Sequence, residues 1–185
     1  MKTHTLFRLC LLLGAVSLAG KAQTMTPQTV TPGQFGPHSG SREFTLGASG
    51  AADKHVENSV GGLSFSLGSY FNDTLEGLIR QSVDYSNPKH GGSSWNGSTR
   101  LALDEHFGTA PIRPFVGINF GGIYGDNVRD TMDAGLEAGA KFYVQPRTFI
   151  YLTAEYAWSF RHADAINDQF DQGQFNWSAG IGFNF

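Results

Sequence analysis

Apolar and polar residues alternate along most of this chain, and the alternation is strictest in residues 174–185. There the aromatic and aliphatic side chains occupy one parity, while the other parity holds Gln, Asn, Ser and Gly. Because successive side chains of a β-strand point to opposite faces, this pattern predicts a strand with one apolar face and one small, polar face. Either earlier strands or lipid must cover the apolar face.

The same period predicts seven earlier strands. They span residues 42–50, 60–71, 75–86, 96–107, 113–124, 133–144 and 148–161. Leu78, Gln81 and Glu105 interrupt the alternation, since each has the wrong polarity for its parity. Short and long connections alternate along the chain, so the short turns meet at one end and the long loops at the other. An even number of strands with this alternation predicts an all-β fold, an eight-stranded antiparallel up-and-down barrel over residues 42–185.

The N-terminal residues have the features of a cleaved export signal. Lys2 and Arg8 accompany an apolar core, and small residues near Ala22 suit cleavage before Gln23. The single cysteine, Cys10, lies inside residues 1–22, so neither a disulfide nor a thiolate metal site is expected in the mature chain. Residues 23–41, rich in Thr, Gln, Pro and Gly, predict a flexible leader. The alternative is a peptide that binds a partner or plugs the barrel mouth.

Composition restricts the class of protein further. The chain has 24 Gly residues, 13% aromatic residues and only 16% charged residues, which favours closely packed strands over an ordinary soluble surface. After the signal, no stretch reaches the roughly 20 apolar residues that a membrane helix needs. The formal net charge of −3 becomes −6 once Lys2, Arg8 and Lys21 are removed with the signal. Nucleic acid is therefore an unfavourable partner.

Taken together, these features resemble the small eight-stranded outer-membrane barrels of OmpX/OmpA type, within the broad outer-membrane β-barrel domain family of Gram-negative bacteria. The resemblance rests on the export signal, the eight alternating segments, and two sets of side chains. Aromatic residues expected at the membrane interface are Tyr85, Trp95, Phe107, Tyr124, Trp158 and Phe160. The terminal residues similar to the signal that barrel-assembly machinery recognises are Trp177, Ile181, Phe183 and Phe185.

The resemblance implies a location in the cell outer membrane. It further implies contact with outer-membrane lipid and lipopolysaccharide, transient contact with the assembly machinery, a monomeric state and a periplasmic position for the leader. The family is defined by its scaffold, whereas its functions lie in variable loops. The ligand of the external loops is therefore left open by the resemblance.

Most of the charged strand residues fall on the inward parity. They are Glu43, Glu76, Arg80, Asp84, Arg100, Asp104, Glu137, Lys141, Glu155 and Arg161. An eight-stranded barrel has an interior just wide enough for side chains to fill, so we expect these groups to pair across the lumen and close it. The alternative is a narrow pore or ion pathway along the same groups.

Catalysis and cofactor binding have weaker support. His55, His90 and His162 fall in long connections near Ser93 and several aspartates, but no His-x-Ser-Asn arrangement on a strand resembles the lipid A deacylases. The three aspartates of the last connection, Asp164, Asp168 and Asp171, lack the spacing of a calcium loop. We therefore predict no catalytic residues, no metal site and no cofactor. A lipid A-modifying barrel enzyme remains an alternative.

The rival fold has the same period and inverted faces. A secreted, lipocalin-like soluble barrel would place the aromatic side chains inside, around a hydrophobic ligand. The polar face carries a single lysine, Lys141, where a soluble exterior normally displays many. The sequence thus favours a non-enzymatic outer-membrane barrel that displays four external loops for envelope integrity or for surface interaction and adhesion.

Overall fold

The computed structural model describes residues 35–53, 59–86, 94–125, 131–160 and 173–185. They form eight strands: β1 (Arg42–Asp53), β2 (Ser59–Tyr70), β3 (Leu75–Ser86), β4 (Ser94–His106), β5 (Ile112–Gly125), β6 (Thr131–Tyr143), β7 (Thr148–Phe160) and β8 (Gly173–Asn184). Within these ranges, no helix has the length and apolar character needed to cross a membrane.

Each strand pairs antiparallel with the next, and β8 pairs with β1, so the sheet is a closed barrel. At the closure, Phe44 lies opposite Phe183 and Leu46 opposite Ile181. Closure leaves no strand with unpaired backbone groups along an edge. The predicted all-β, eight-stranded up-and-down barrel is confirmed.

The strand bounds agree with the predicted bounds to within three residues. β3 matches its prediction, whereas β1 continues to Asp53, three residues past the predicted end at Gly50. The extension consists of small residues without alternating polarity, and it is held by backbone pairing to both β2 and β8. Pairing of this kind leaves no signal in the hydrophobic pattern, so the sequence underestimated the length of β1.

The apolar faces of the strands form the outside of the barrel. Leu63, Leu101 and Ile181 are each more than 60% exposed, and large apolar side chains from all eight strands are similarly open. A continuous apolar band of this size suits contact with lipid and not with water. The rival soluble barrel, with its aromatic face inside, is therefore wrong for this chain, because the polar face lines the lumen.

The interruptions in the sequence pattern do not interrupt the geometry. Leu78 points into the lumen, where it is 8% exposed, and Gln81 lies on the outer face. The Gln81 amide donates to the Tyr124 hydroxyl at 2.7 Å and accepts from the Thr99 hydroxyl at 2.6 Å. Polar groups on the lipid face thus satisfy one another across three neighbouring strands, which lowers the cost of placing them there.

The short turns, the first residues of β1 and the last residues of β8 lie at one end of the barrel, which we call the turn end. The opposite end is the loop end. The turn between β2 and β3 is fixed by Asn72, whose side-chain oxygen accepts bonds from the backbone N–H groups of Thr74 at 2.8 Å and Leu75 at 2.7 Å. Asparagine commonly stabilises turns in this way.

A substitution on the outer face tests its contact with lipid. We expect Leu101→Arg to destabilise the barrel in phospholipid bilayers by about 2–4 kcal/mol, the cost of an arginine near the bilayer midplane. Leu101→Met is the matched control and should change the unfolding free energy little. Urea unfolding in liposomes measures both; equal stability of the two variants would argue against a lipid-facing Leu101.

Candidate functional site

The inward side chains of all eight strands converge in the lumen, which is the candidate functional site. Nine of the ten residues predicted to form the charge network have inward-facing side chains, and seven of these nine are buried. Arg80 and Asp84 are intermediate in exposure. The tenth, Arg161, lies outside the described residues.

Lys141 is the centre of the turn-end half of the lumen. From β6, its Nζ donates to Glu43 Oε1 at 2.6 Å and to Glu76 Oε2 at 2.8 Å, and it lies 2.9 Å from the Tyr70 hydroxyl. Asn184 Nδ2 also donates to Glu43 at 2.9 Å. These five residues, the lysine cluster, join strands β1, β2, β3, β6 and β8. A buried cation is stabilised when carboxylates and hydroxyls satisfy its donors in this way.

Aromatic rings surround the same ammonium group. Lys141 Nζ lies 5.0 Å from the centroid of Phe149, 5.4 Å from Tyr70 and 6.0 Å from Phe115. The His106 ring stands between Tyr70 and Phe115, with centroid distances of 5.5 Å and 5.2 Å. The ring faces add cation–π attraction, so the turn-end half of the lumen is closely packed around the ammonium group.

Two arginine pairs occupy the middle and the loop-end half of the lumen. Arg80 reaches across from β3 and donates both terminal nitrogens to Glu137, at 2.9 Å and 3.0 Å. Arg100 donates Nη2 and Nε to Asp133 Oδ2, at 2.6 Å and 3.1 Å. Arginine suits such sites because its planar guanidinium stays charged and offers several donors in a fixed geometry.

Sequence reasoning missed several inward residues. Tyr70, Arg113, Phe115, Asp133 and Phe149 are all buried in the lumen, and none was assigned to the network. Parity along the strand was the available signal, because each lies two or four residues from an inward residue on the same strand. The three aromatic members carry no charge to mark them as inward, and Arg113 and Asp133 stand at the first positions of their predicted strands.

Carboxylates outnumber basic groups in the described part of the lumen. Seven inward acids, Glu43, Glu76, Asp84, Asp104, Asp133, Glu137 and Glu155, accompany four inward bases, Arg80, Arg100, Arg113 and Lys141. At the turn end Glu43 and Glu76 are balanced by Lys141 and Arg113, so the excess lies with the other five acids, which are accompanied only by Arg80 and Arg100. The middle and the loop-end half of the lumen are therefore the more acidic part.

Residues 35–41, the described part of the predicted leader, contact the turn end of the barrel. Phe35 packs against the buried aromatic cluster of Tyr143, Phe149 and Tyr151. The backbone N–H of Gly36 donates to Pro146 O at 3.1 Å, and the backbone N–H of Ser39 donates to Asp73 Oδ1 at 2.9 Å. These seven residues therefore contact the barrel, while the flexible leader over residues 23–41 and its alternative, a peptide that binds a partner or plugs the barrel mouth, both stay predictions. Residues 23–34 lie outside the described part of the chain.

Gly36 allows residues 35–41 to approach the inward side chain of Arg113 closely. It has a φ of 95°, a conformation that favours glycine, and a Cβ at this position would overlap the Arg113 guanidinium. Arg113 in turn donates Nη2 to Asp73 O at 2.6 Å. Gly40 has a similar φ of 84°, but a Cβ there would meet nothing within 4 Å.

The outer-face residues singled out from the sequence lie where the pattern put them, although their roles stay predictions. Tyr85, Trp95, Phe107, Tyr124 and Phe160 are more than 40% exposed, and Trp158 is partly exposed. All but Phe107 lie toward the loop end, where the rings of Tyr85 and Trp95 contact each other at a tilt of 49°, with a centroid distance of 4.8 Å.

The terminal side chains also face outward. Trp177, Ile181, Phe183 and Phe185 are each more than 45% exposed. The ring of Phe183 lies 5.9 Å from that of Phe44 and 5.6 Å from that of Phe185.

The loop residues considered for catalysis or calcium binding lie outside the described residues. They are His55, His90, His162, Ser93, Asp164, Asp168 and Asp171. Among the side chains that the structure places, no three His, Cys, Asp or Glu residues are grouped as metal ligands.

A closed eight-stranded barrel with an apolar outside and a charged, filled lumen defines a class: the chain has the fold of the small outer-membrane β-barrels. It is similar to the outer membrane protein OprG of Pseudomonas aeruginosa, with a TM-score of 0.57 and 10% identity over 81% of this chain and 98% of that one. The N-terminal barrel of P. aeruginosa OprF gives a TM-score of 0.55 and 22% identity over 80% of this chain and all of that one.

Neisserial surface protein A (NspA) is likewise similar, with a TM-score of 0.57 and 15% identity over 78% of this chain and 96% of that one. No family model and no curated protein sequence matches the chain. The likeness is therefore one of fold, which different sequences can reach.

Removing the central cation tests the lysine cluster. We expect Lys141→Met to lower the unfolding free energy by about 3–5 kcal/mol, because it leaves two buried carboxylates without their cation. Urea unfolding in detergent micelles measures the loss. The triple variant Lys141→Met, Glu43→Gln, Glu76→Gln should regain much of it, and wild-type stability of the single variant would contradict the central role of Lys141.

Two glycine substitutions test the seating of residues 35–41. Gly36→Ala and Gly40→Ala both place a side chain at positive φ, which costs of the order of 1–3 kcal/mol. We expect only Gly36→Ala to displace the segment as well, because its Cβ meets Arg113. Limited proteolysis of the folded protein should therefore cleave within the segment faster in Gly36→Ala than in Gly40→Ala. Equal cleavage would show that the Arg113 contact does not hold the segment.

Proposed function

We propose that this protein is an integral, non-enzymatic protein of the cell outer membrane that displays four loops at the outer surface and serves envelope integrity or surface interaction. The observation that carries the proposal is the combination of an exposed apolar band with a lumen filled by paired charges. The exposed apolar band requires lipid around the barrel, and the paired charges hold the strands together across the lumen.

The dimensions of the strands support insertion in a bilayer. Each strand has between 12 and 14 residues, and about 9–11 tilted residues suffice to cross the hydrocarbon core. The partners proposed on this basis are outer-membrane lipid and lipopolysaccharide. Trp177, Ile181, Phe183 and Phe185 are proposed as the contact with barrel-assembly machinery during insertion, and the inserted barrel is proposed to be a monomer.

The position of the connections supports display of the loops. The connections after β1, β3, β5 and β7 all leave from the loop end, while residues 35–41 and the last residues of β8 lie at the turn end. A surface role is in keeping with the name of one similar structure, Neisserial surface protein A. What the loops of this chain contact is set by their own residues.

A narrow ion pathway is the second candidate, favoured by the polar lining of the whole lumen. The Arg80–Glu137 pair stands against it, since this bidentate bridge crosses the middle of the barrel. We therefore propose that the lumen is closed in the resting protein and that its charges act as structural supports.

Planar bilayer recordings separate closure from conduction. We expect the wild-type protein and the variant Arg80→Ala, Arg100→Ala to give no steady conductance. The variant should nevertheless unfold at lower urea, because Glu137 and Asp133 lose their partners. A steady wild-type current whose ion selectivity changes in the variant would favour the pathway instead.

Replacing residues 162–172 by a short Gly/Ser turn tests the display of loops. If the longest loop mediates surface interaction, cells carrying this variant should lose binding to immobilised polysaccharides and matrix proteins. Outer-membrane levels and heat-modifiable migration on gels should stay normal.

If the protein instead serves envelope integrity, its complete removal should increase vancomycin susceptibility and the loop variant should not. Absence of both effects would refute the proposed function.

A further inference from the structure

A cavity of about 200 Å³ lies in the loop-end half of the lumen, on the loop side of the Arg80–Glu137 pair. Its wall includes the carboxylates of Asp84 and Glu155 and the amides of Asn96 and Asn176. Arg80 and Arg100 lie at its base, and hydroxyl groups complete much of the rest. The cavity holds space for about six or seven waters at their liquid volume, or for a small organic molecule.

The two arginines of this cavity are already engaged by other groups. Both terminal nitrogens of Arg80 donate to Glu137. Arg100 uses Nε and Nη2 on Asp133 and Nη1 on the Ser98 hydroxyl, the last at 3.0 Å. Arg80 is paired with Glu137, and Arg100 is paired with Asp133 and lies within 3.5 Å of Glu155, so the arginines offer an incoming anion little unpaired positive charge.

The cavity carboxylates are less well compensated. Asp84 accepts from the Ser49 hydroxyl at a long 3.3 Å. Glu155 is 5% exposed, and its Oε1 has no hydrogen-bond partner among the described residues; the nearest cationic atom is Arg100 Nε at 3.5 Å. Asn96 Oδ1, a further acceptor in the wall, is also unpartnered there, as is one donor, Asn176 Nδ2. A buried polar atom without a partner is costly, so these acceptors favour a donor-bearing ligand.

We propose that this cavity binds a small organic cation with a primary ammonium group. An ammonium offers three donors and a positive charge, which match two carboxylates and an amide oxygen. A closely coordinated metal ion fits less well, because no group of three metal-binding carboxylates or imidazoles occurs among the described residues. The site goes beyond the scaffold role of the lumen, since neither loop display nor closure requires a ligand.

Amide NMR of the full barrel in lipid nanodiscs tests the site, with ethylammonium as the probe. Ethanol, acetate and sodium are matched controls for size, negative charge and simple cation screening. We expect saturable shifts at Ser49, Asn96, Glu155 and Asn176 with ethylammonium and not with the three controls. Shifts of the same size and position with ethanol or sodium would overturn the proposal, as would shifts that do not saturate.

Variants assign the effect to the two carboxylates. Asp84→Asn and Glu155→Gln should each weaken ethylammonium binding by about ten-fold or more, the effect expected for loss of a charge-assisted hydrogen bond. Glu105→Gln, which removes a carboxylate on the outer face near the turn end, is the control and should bind as the wild type does. Undiminished binding by both cavity variants would overturn the assignment. Heat-modifiable migration on gels shows whether each variant is folded. If one variant fails to fold, the binding measured for the other decides the assignment.

Discussion

The pairing of β8 with β1 is the constraint on which the rest of this structure depends. Once the sheet closes, every second side chain is confined to a lumen that eight strands leave only as wide as the side chains that fill it. Most charges in that space are removed from bulk water, so partners from other strands stabilise them. Pairs such as Arg80 with Glu137, from β3 and β6, are therefore a consequence of closure, and they also brace strands that share no backbone hydrogen bonds.

The two halves of the lumen meet this constraint differently. Near the turn end, Lys141 serves two carboxylates at once, and Phe115 and Phe149 occupy positions that water would otherwise fill. Phe35 extends this packing outward against Tyr143, Phe149 and Tyr151. Near the loop end the wall is made of hydroxyls, amides and charges around a cavity. The lumen is thus filled by aromatic rings and the lysine cluster at the turn end, and lined by polar groups around a cavity at the loop end.

The sequence predicted the fold well because period two and the alternation of short and long connections are both local signals. The parity that assigns charges to the inward face is a local signal of the same kind. The sequence pattern could not predict which charges pair across the lumen, because a contact such as that between Arg100 and Asp133 depends on strand tilt and register around the barrel. Parity was a better guide than polarity: Leu78 and Phe149 are apolar yet inward, and Gln81 is polar yet outward. The contacts of residues 35–41 depend on Arg113, Asp73 and Pro146, far away in sequence, so local composition gave no sign of them.

The distribution of unpaired carboxylates follows from the same physics. A lipid-surrounded lumen tolerates excess negative charge only where protons, water or cations can compensate it. At the turn end, aromatic rings surround Lys141, and Glu43 and Glu76 both contact its ammonium group. Asp104, opposite Glu76 on β4, is buried outside the cavity wall, and its Oδ1 has no hydrogen-bond partner among the described residues. Glu155 and Asp84, by contrast, border the cavity. Filling the cavity with apolar side chains would leave these acids buried without compensation, whereas replacing the acids would remove the reason for a polar cavity. The two features therefore depend on each other, and a mobile cation is the simplest group that satisfies both.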